Sequence, residues 1–567
     1  MKSHVQPRLA ASAVGVLAAL TLAGTAAARE KAPYAASHAQ RVHFIQRQTR
    51  AHHRRLLVVG TEGNDKIALR LDPERSDVLQ VDIGGDGSAD FQFHHLESVA
   101  AIAVDARGGD DLVRVDESNG AFTNTIPTTI AGGDGNDTLF GGSGAELLLG
   151  GPGNDSIDGN GGNDAADLGP GDDTFVWDPG DGSDTIEGQD GNDTMVFNGA
   201  AAAEQVDLSA NGNRLRFFRS PANITMDTHG VENVDFNALG GADAVTVNAL
   251  SGTDVQNVNV DLAGSLGSVT GDGAVDRVAV NGSKGDDTIT AAGDASGLVV
   301  TGLRTRVAVQ HQEPTDQLAV DALSGDDSIS ATGLAAQAIT TSLDGDAGDD
   351  RIAGGPGNEL LLGGDGDDSI DGNGGNDAAD LGAGNDTFVW DPGDGSDTIE
   401  GQDGIDTMVF NGAAASETVT LSANGDRLTF FRNPGNITMD TRGVEEVLFN
   451  ALGGADVVTV NDLTGTGVTN VRVDLAGTLG GSAGDLAADR VVVSGTTGND
   501  DISVVGGETK AGIGAAVVGL AATVDISHSE AANDRLEINT LAGIDTLDSS
   551  ELTAGVIQLF FDGVLVP

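Results

Sequence analysis

The sequence predicts an all-β fold: a β-solenoid in which blocks of nonapeptides alternate with short-strand β modules. Three observations predict it. Residues 132–199 read in nines as GGDGNDTLF, GGSGAELLL, GGPGNDSID, GNGGNDAAD and LGPGDDTFV, then WDPGDGSDTIE with two extra residues, then GQDGNDTMV. The pattern returns at 345–412, and one ungapped shift of 213 residues superposes Phe175-Val176-Trp177 on Phe388-Val389-Trp390, Met226 on Met439 and Asp276-Arg277 on Asp489-Arg490. Elsewhere, runs such as LLVVG, VLQVDI, RLRFF and AVTVNAL lie between Gly- and Asp-rich turns, and only the N-terminal apolar run has helical character.

Each position of the template G-G-x-G-x-D-x-U-x has a physical reason. Glycine permits the positive φ that a tight turn needs. Position eight, U, is apolar: Leu139, Leu148, Ile157, Ala166, Phe175, Ile186 and Met195. Three residues around it predict a very short strand with its middle side chain inward. Six residues of turn carry the chain across, so two nonapeptides close one coil. Coils stacked at about 4.8 Å place equivalent position-six side chains in rows along both edges. Those side chains are carboxylates, and stacked carboxylates cannot stay close and ionised without a cation. Calcium suits such rows, because it takes 6–8 oxygens from carboxylates and carbonyls in flexible geometry.

The two stretches resemble the haemolysin-type (RTX) calcium-binding repeat family and its exported multi-copy members. In that family the six-residue turn coordinates calcium through the position-six Asp and main-chain carbonyls, in a parallel β-roll. The resemblance implies ligands at Asp137, Asp155, Asp164, Asp173, Asp184 and Asp193, and in the second copy at Asp350, Asp368, Asp377, Asp386, Asp397 and Asp406. It covers about a quarter of the chain. Glu146 and Glu359 depart from it by length, Leu168 and Leu381 replace the first Gly, and insertions at Trp177–Gly182 and Trp390–Gly395 are expected to bulge the roll or end its regular part.

Composition agrees with a thin-cored repeat protein. The 567 residues include 84 Gly and no Cys, aromatics are 4%, and the formal charge is −58. Residues 1–56 hold nine of the 29 Lys and Arg and one acid, Glu30, which leaves 20 basic and 86 acidic residues beyond, a net −66. That field repels nucleic acid and attracts divalent cations. Without Cys, neither disulfides nor thiolate metal sites form.

In order, residues 1–28 read as a signal peptide: Lys2 and Arg8, an apolar run from Leu9 to Ala23, and Ala26-Ala27-Ala28 before Arg29. Secretion or a cell-surface location follows, with no transmembrane helix after cleavage. Residues 29–56 are a basic linker or pro-segment. Then come β module A1 (57–130), module B1 (131–281, repeats 132–199), A2 (282–344), B2 (345–494, repeats 345–412) and A3 (495–567), the last read as a cap. KGDDTIT and SGDDSIS in A2 match TGNDDIS and AGIDTLD in A3. Whether the A modules join the same solenoid is open at this level.

The remaining motifs are weak. DIGGDGSAD (82–90) resembles a calcium loop but lacks a carboxylate at position twelve, so a hairpin turn is preferred. GGSAG (480–484) fits a nucleophile elbow, yet the aligned copy has Val269 where Ser is needed. Trp177 and Trp390 suit a core or rim position better than sugar stacking. No H-E-x-x-H zinc motif occurs. The sequence is therefore read as an exported calcium-binding structural or binding protein rather than an enzyme. Extracellular or cell-surface polysaccharide or protein is left open as its partner class. The alternatives are a carbohydrate-active enzyme of lyase or epimerase type with RTX modules, or a fragment of an RTX toxin or protease.

Overall fold

Two long sheets face each other across one apolar column, and nearly every rung is a parallel strand three to ten residues long. The computed structural model describes residues 41–45, 54–509 and 512–567. The signal expected over 1–28 lies outside the described residues, as does most of 29–56. Residues 42–567 form one compact unit. Strand Arg54–Val59 starts three residues inside the segment read as linker, and Arg41–Ile45, wholly within that segment, pairs with it.

The nonapeptide arithmetic holds. On one sheet Leu148 pairs with Ala166, and on the other Ile157 pairs with Phe175, so one coil is 18 residues. Each three-residue strand buries its middle side chain, and Leu139, Leu148, Ile157 and Phe175 are at most 1% exposed. The two-residue insertion lengthens its coil to 20 residues without a slip: Ala166 pairs with Ile186, and Phe175 with Met195. Of the two expected outcomes, a bulge forms, and the expectation that the regular part ends there is corrected. The extra residues leave the roll as a side loop, held where the Trp177 indole N–H donates to the Gly182 carbonyl at 2.8 Å. Trp177 is buried and stacks on Phe197 at 3.9 Å, and Trp390 does the same on Phe410. Both tryptophans are core residues.

The A modules continue the solenoid. Lys66–Asp72 pairs with Leu112–Asp116, which pairs in parallel with Thr138–Phe140 of the first block. Ser328–Leu334 pairs likewise with Arg351–Ala353 of the second. The same apolar column runs through both kinds of module.

One device interrupts the parallel climb. After the first block the chain skips ahead to Gln205–Asn211, turns back antiparallel through Arg214–Ser220, and returns to Ile224–His229, which stacks on Thr185–Glu187. The skipped-to strand then carries Ala244–Val247 in parallel. This meander recurs at Thr418–Arg442 on the same sheet, and at Thr288–Gln310 and Asp501–Ser527 on the other. Alternating burial along Arg214–Ser220 lets it sit as one more rung. The buried Arg219 guanidinium lies over the Trp177 ring and pairs with Glu204, which ties the meander to the block below it.

Candidate metal centres along the solenoid edges

The six-residue turns stack so closely that their glycines are needed. Gly153 has φ of 144°, and a Cβ there would lie 1.9 Å from the Gly135 carbonyl oxygen of the turn before. The stacking brings the position-six Asp side chains into rows. On one edge the Asp137 N–H donates to Asp155 Oδ1 at 2.7 Å, Asp155 to Asp173 at 2.7 Å, and Asp173 to Asp193 at 2.9 Å. On the other, Asp164 donates to Asp184 at 2.8 Å. The second copy repeats this with Asp350, Asp368, Asp386 and Asp406 on one edge and Asp377 and Asp397 on the other.

Each of the twelve predicted Asp thus commits Oδ1 to a neighbouring coil's amide. In all twelve, Oδ2 is buried and has no hydrogen-bond partner. A buried carboxylate oxygen without a partner is costly and calls for a counter-charge. Burial, reinforced by neighbouring carboxylates, pushes these groups well above the usual range: Asp137 and Asp350 to about 6, Asp155 and Asp368 to about 7, Asp377 to about 8, Asp164 to about 9. These residues fit a hard divalent cation: oxygen donors only, charge unbalanced, glycine turns with open carbonyls. Among the described residues no three His, Asp or Glu side chains converge on one point. Each turn offers its position-six carboxylate together with its main-chain carbonyls, and several carry a further Asp, such as Asp134 and Asp172.

Two turns differ. Glu146 and Glu359 reach back to the amide at position two of their own turn, Gly142 at 2.8 Å and Gly355 at 2.9 Å. The added methylene lets the carboxylate close its own turn. The loop at 82–90 is a hairpin turn between Arg75–Ile83 and Phe91–His94, with Asp82 held by Arg70 and the Gly87 amide. The residues 480–484 lie in a loop between Asn470–Asp474 and Arg490–Ser494, with Ser482 exposed.

The rows also run past the nonapeptides. The Asp111 N–H donates to Asp137 Oδ1, and Asp327 to Asp350 Oδ1. Sequence reading passed over these acids because their turns lack the leading Gly. An acid two residues before an inward apolar residue, as in Asp111 before Val113, was the available signal.

Comparison with known proteins agrees with this geometry. The family model of the RTX calcium-binding nonapeptide repeat matches residues 128–155, 140–175, 180–199, 342–358, 354–388 and 392–409. These stretches are RTX repeats. They are the calcium-binding kind, and the chain around them is an all-β solenoid built on the same coil. No curated protein matches the chain. Among solved structures, the extracellular lipase LipA from Serratia marcescens matches at 15% identity and a TM-score of 0.14, over 61% of this chain. The chain spans 43% of the lipase's length, a likeness too slight to bear on activity.

Proposed function

We propose that the protein is an exported calcium-loaded rod, a structural or binding β-solenoid rather than an enzyme. The observation that carries this reading is the set of twelve buried Oδ2 atoms without partners, all in RTX repeats and repeated in two copies. When bound, calcium would supply positive charge and accept 6–8 oxygen ligands from carboxylates, main-chain carbonyls and water. Asp137, Asp155, Asp164, Asp173, Asp184 and Asp193 would hold it in the first block, and their counterparts from Asp350 to Asp406 in the second. Oδ1 of each keeps the coils in register, and the unpartnered Oδ2 would be left to hold the ion. Rows of repeated carboxylates favour ligation over catalysis, since catalysis needs one constellation rather than many copies. The N-terminal signal supports export, where extracellular modules bind calcium at about 10⁻⁴–10⁻³ M.

Asp173→Asn tests the assignment. It preserves an oxygen to accept the Asp155 amide but removes the ligand charge. The calcium midpoint should rise by roughly tenfold, which corresponds to about 1.4 kcal/mol. Asp116→Asn changes a carboxylate outside the rows, one bonded to the Ser118 amide, and should leave the midpoint in place. Isothermal titration of both variants checks this. Equal shifts would mean that general charge, not ligation, sets the calcium requirement.

A further inference from the structure

Turns of two kinds occur along the edges, and their sequences mislead about which is which. In an open turn the second residue has positive φ and the closing Asp has a buried Oδ2 without a partner; the fourth residue is a positive-φ Gly in every open RTX turn but those ending at Asp184 and Asp397. The RTX turn ending at Asp155 is one, with Gly151 at 115° and Gly153 at 144°. In a closed turn the acid accepts the amide of its own second residue. Thr61 donates to Asp65 Oδ2 at 2.5 Å, Ser283 to Asp287 Oδ2 at 2.6 Å, and Thr496 to Asp500 Oδ2 at 2.8 Å. None of those second residues has positive φ. Yet GTEGND, GSKGDD and GTTGND begin with the Gly of the repeat.

Four turns outside the matched repeats reverse this. They read ARGGDD (106–111), ALGGAD (238–243), ALSGDD (322–327) and ALGGAD (451–456), with Ala in place of the first Gly. Their second residues are nevertheless left-handed: Arg107 at 81°, Leu239 at 70°, Leu323 at 76° and Leu452 at 63°. Gly109, Gly241, Gly325 and Gly454 supply the fourth position at 106° to 135°. A non-Gly residue there is strained, so the surrounding stack must impose the conformation. The closing acids, Asp111, Asp243, Asp327 and Asp456, are 1–3% exposed. Each gives Oδ1 to a neighbouring amide, of Asp65, Glu204, Asp287 and Glu417 respectively, at 2.6–2.7 Å. Each leaves Oδ2 buried without a partner.

We infer that these four turns are additional calcium sites, and that Asp111, Asp243, Asp327 and Asp456 supply their carboxylate ligands. This rests on the calcium reading of the RTX repeats. Asp111 and Asp327 lengthen the row beneath each block by one coil. Asp243 and Asp456 begin a separate row beyond each meander, next to an acid that already has Arg219 or Arg432 as counter-charge. Calcium loading therefore reaches into the A modules and past the meanders.

Calcium bound per chain, measured by equilibrium dialysis on the full-length chain, tests the inference. Three sets of Asp→Asn variants are compared: the four open turns, the closed turns Asp65, Asp287 and Asp500, and the RTX residues Asp155 and Asp368. The open-turn and RTX sets should each lose bound calcium, in similar proportion per carboxylate removed, and the closed-turn set should lose none. Full wild-type stoichiometry in the open-turn set, with loss in the RTX set, would overturn the inference and leave the RTX reading standing. No loss in the RTX set would overturn both. Wild-type crystals soaked in terbium remove any dependence on variant folding. Anomalous peaks are expected at the four open turns, and peaks confined to the RTX turns would overturn the inference.

Discussion

Gly153→Ala should uncouple the first RTX block from its neighbours and raise its calcium midpoint beyond the accessible range. Two penalties coincide. A φ of 144° is a region that residues with a Cβ rarely adopt, and the new Cβ would sit 1.9 Å from a main-chain oxygen that cannot rotate away. Together they cost on the order of 3–5 kcal/mol. Gly212→Ala is the matched control. It also has positive φ, 70°, but nothing lies within 4 Å of the new methyl, so the cost should be nearer 1–2 kcal/mol. Thermal unfolding at a fixed calcium concentration that saturates the unsubstituted chain separates the two. Similar losses would show that backbone strain alone, rather than the stacking of turns, limits the roll.

The calcium-free protein should be more stable at pH 5 than at pH 8. The row Asp have folded-state pKa values raised above 3.8, to about 7 for Asp155, Asp184, Asp193, Asp368 and Asp406, chiefly through burial. Between about pH 4 and pH 7 the folded chain therefore holds more protons than the unfolded chain, and stability falls as pH rises through that window. At pH 5 protons occupy the rows, and at pH 8 the rows are ionised and repel. The calcium midpoint should move the opposite way, higher at pH 5, because calcium must displace those protons. Urea unfolding at the two pH values, in EDTA and about 0.5 M KCl to screen general repulsion, checks the first part. A more stable calcium-free chain at pH 8 would contradict it.

The coil was legible because its signals are local. Position eight and position six of GGPGNDSID determine an inward Ile157 and an edge Asp155 without reference to anything distant. The meanders were not legible, because RLRFFRS alternates in burial as a solenoid rung does and nothing in it marks the antiparallel return. The open or closed state of a turn was also hidden. It depends on whether the acid reaches its own second amide, as Glu146 does with Gly142, and on whether neighbouring coils hold a residue such as Leu239 left-handed. Those are contacts between coils rather than properties of six residues. The predicted ligands and the four further acids therefore share a main-chain conformation despite different motifs, and that conformation separates both from the closed-turn acids.

The most direct test is a calcium titration of the 54–567 body at neutral pH and low ionic strength, followed by circular dichroism and hydrodynamic radius together. With a net charge of −66 beyond residue 56 and unpartnered carboxylates in rows, the calcium-free chain should be expanded and poor in β signal. Millimolar calcium should raise the β signal and shrink the radius in one transition, and EDTA should reverse both. A spectrum and a radius that stay constant across that range would contradict the account.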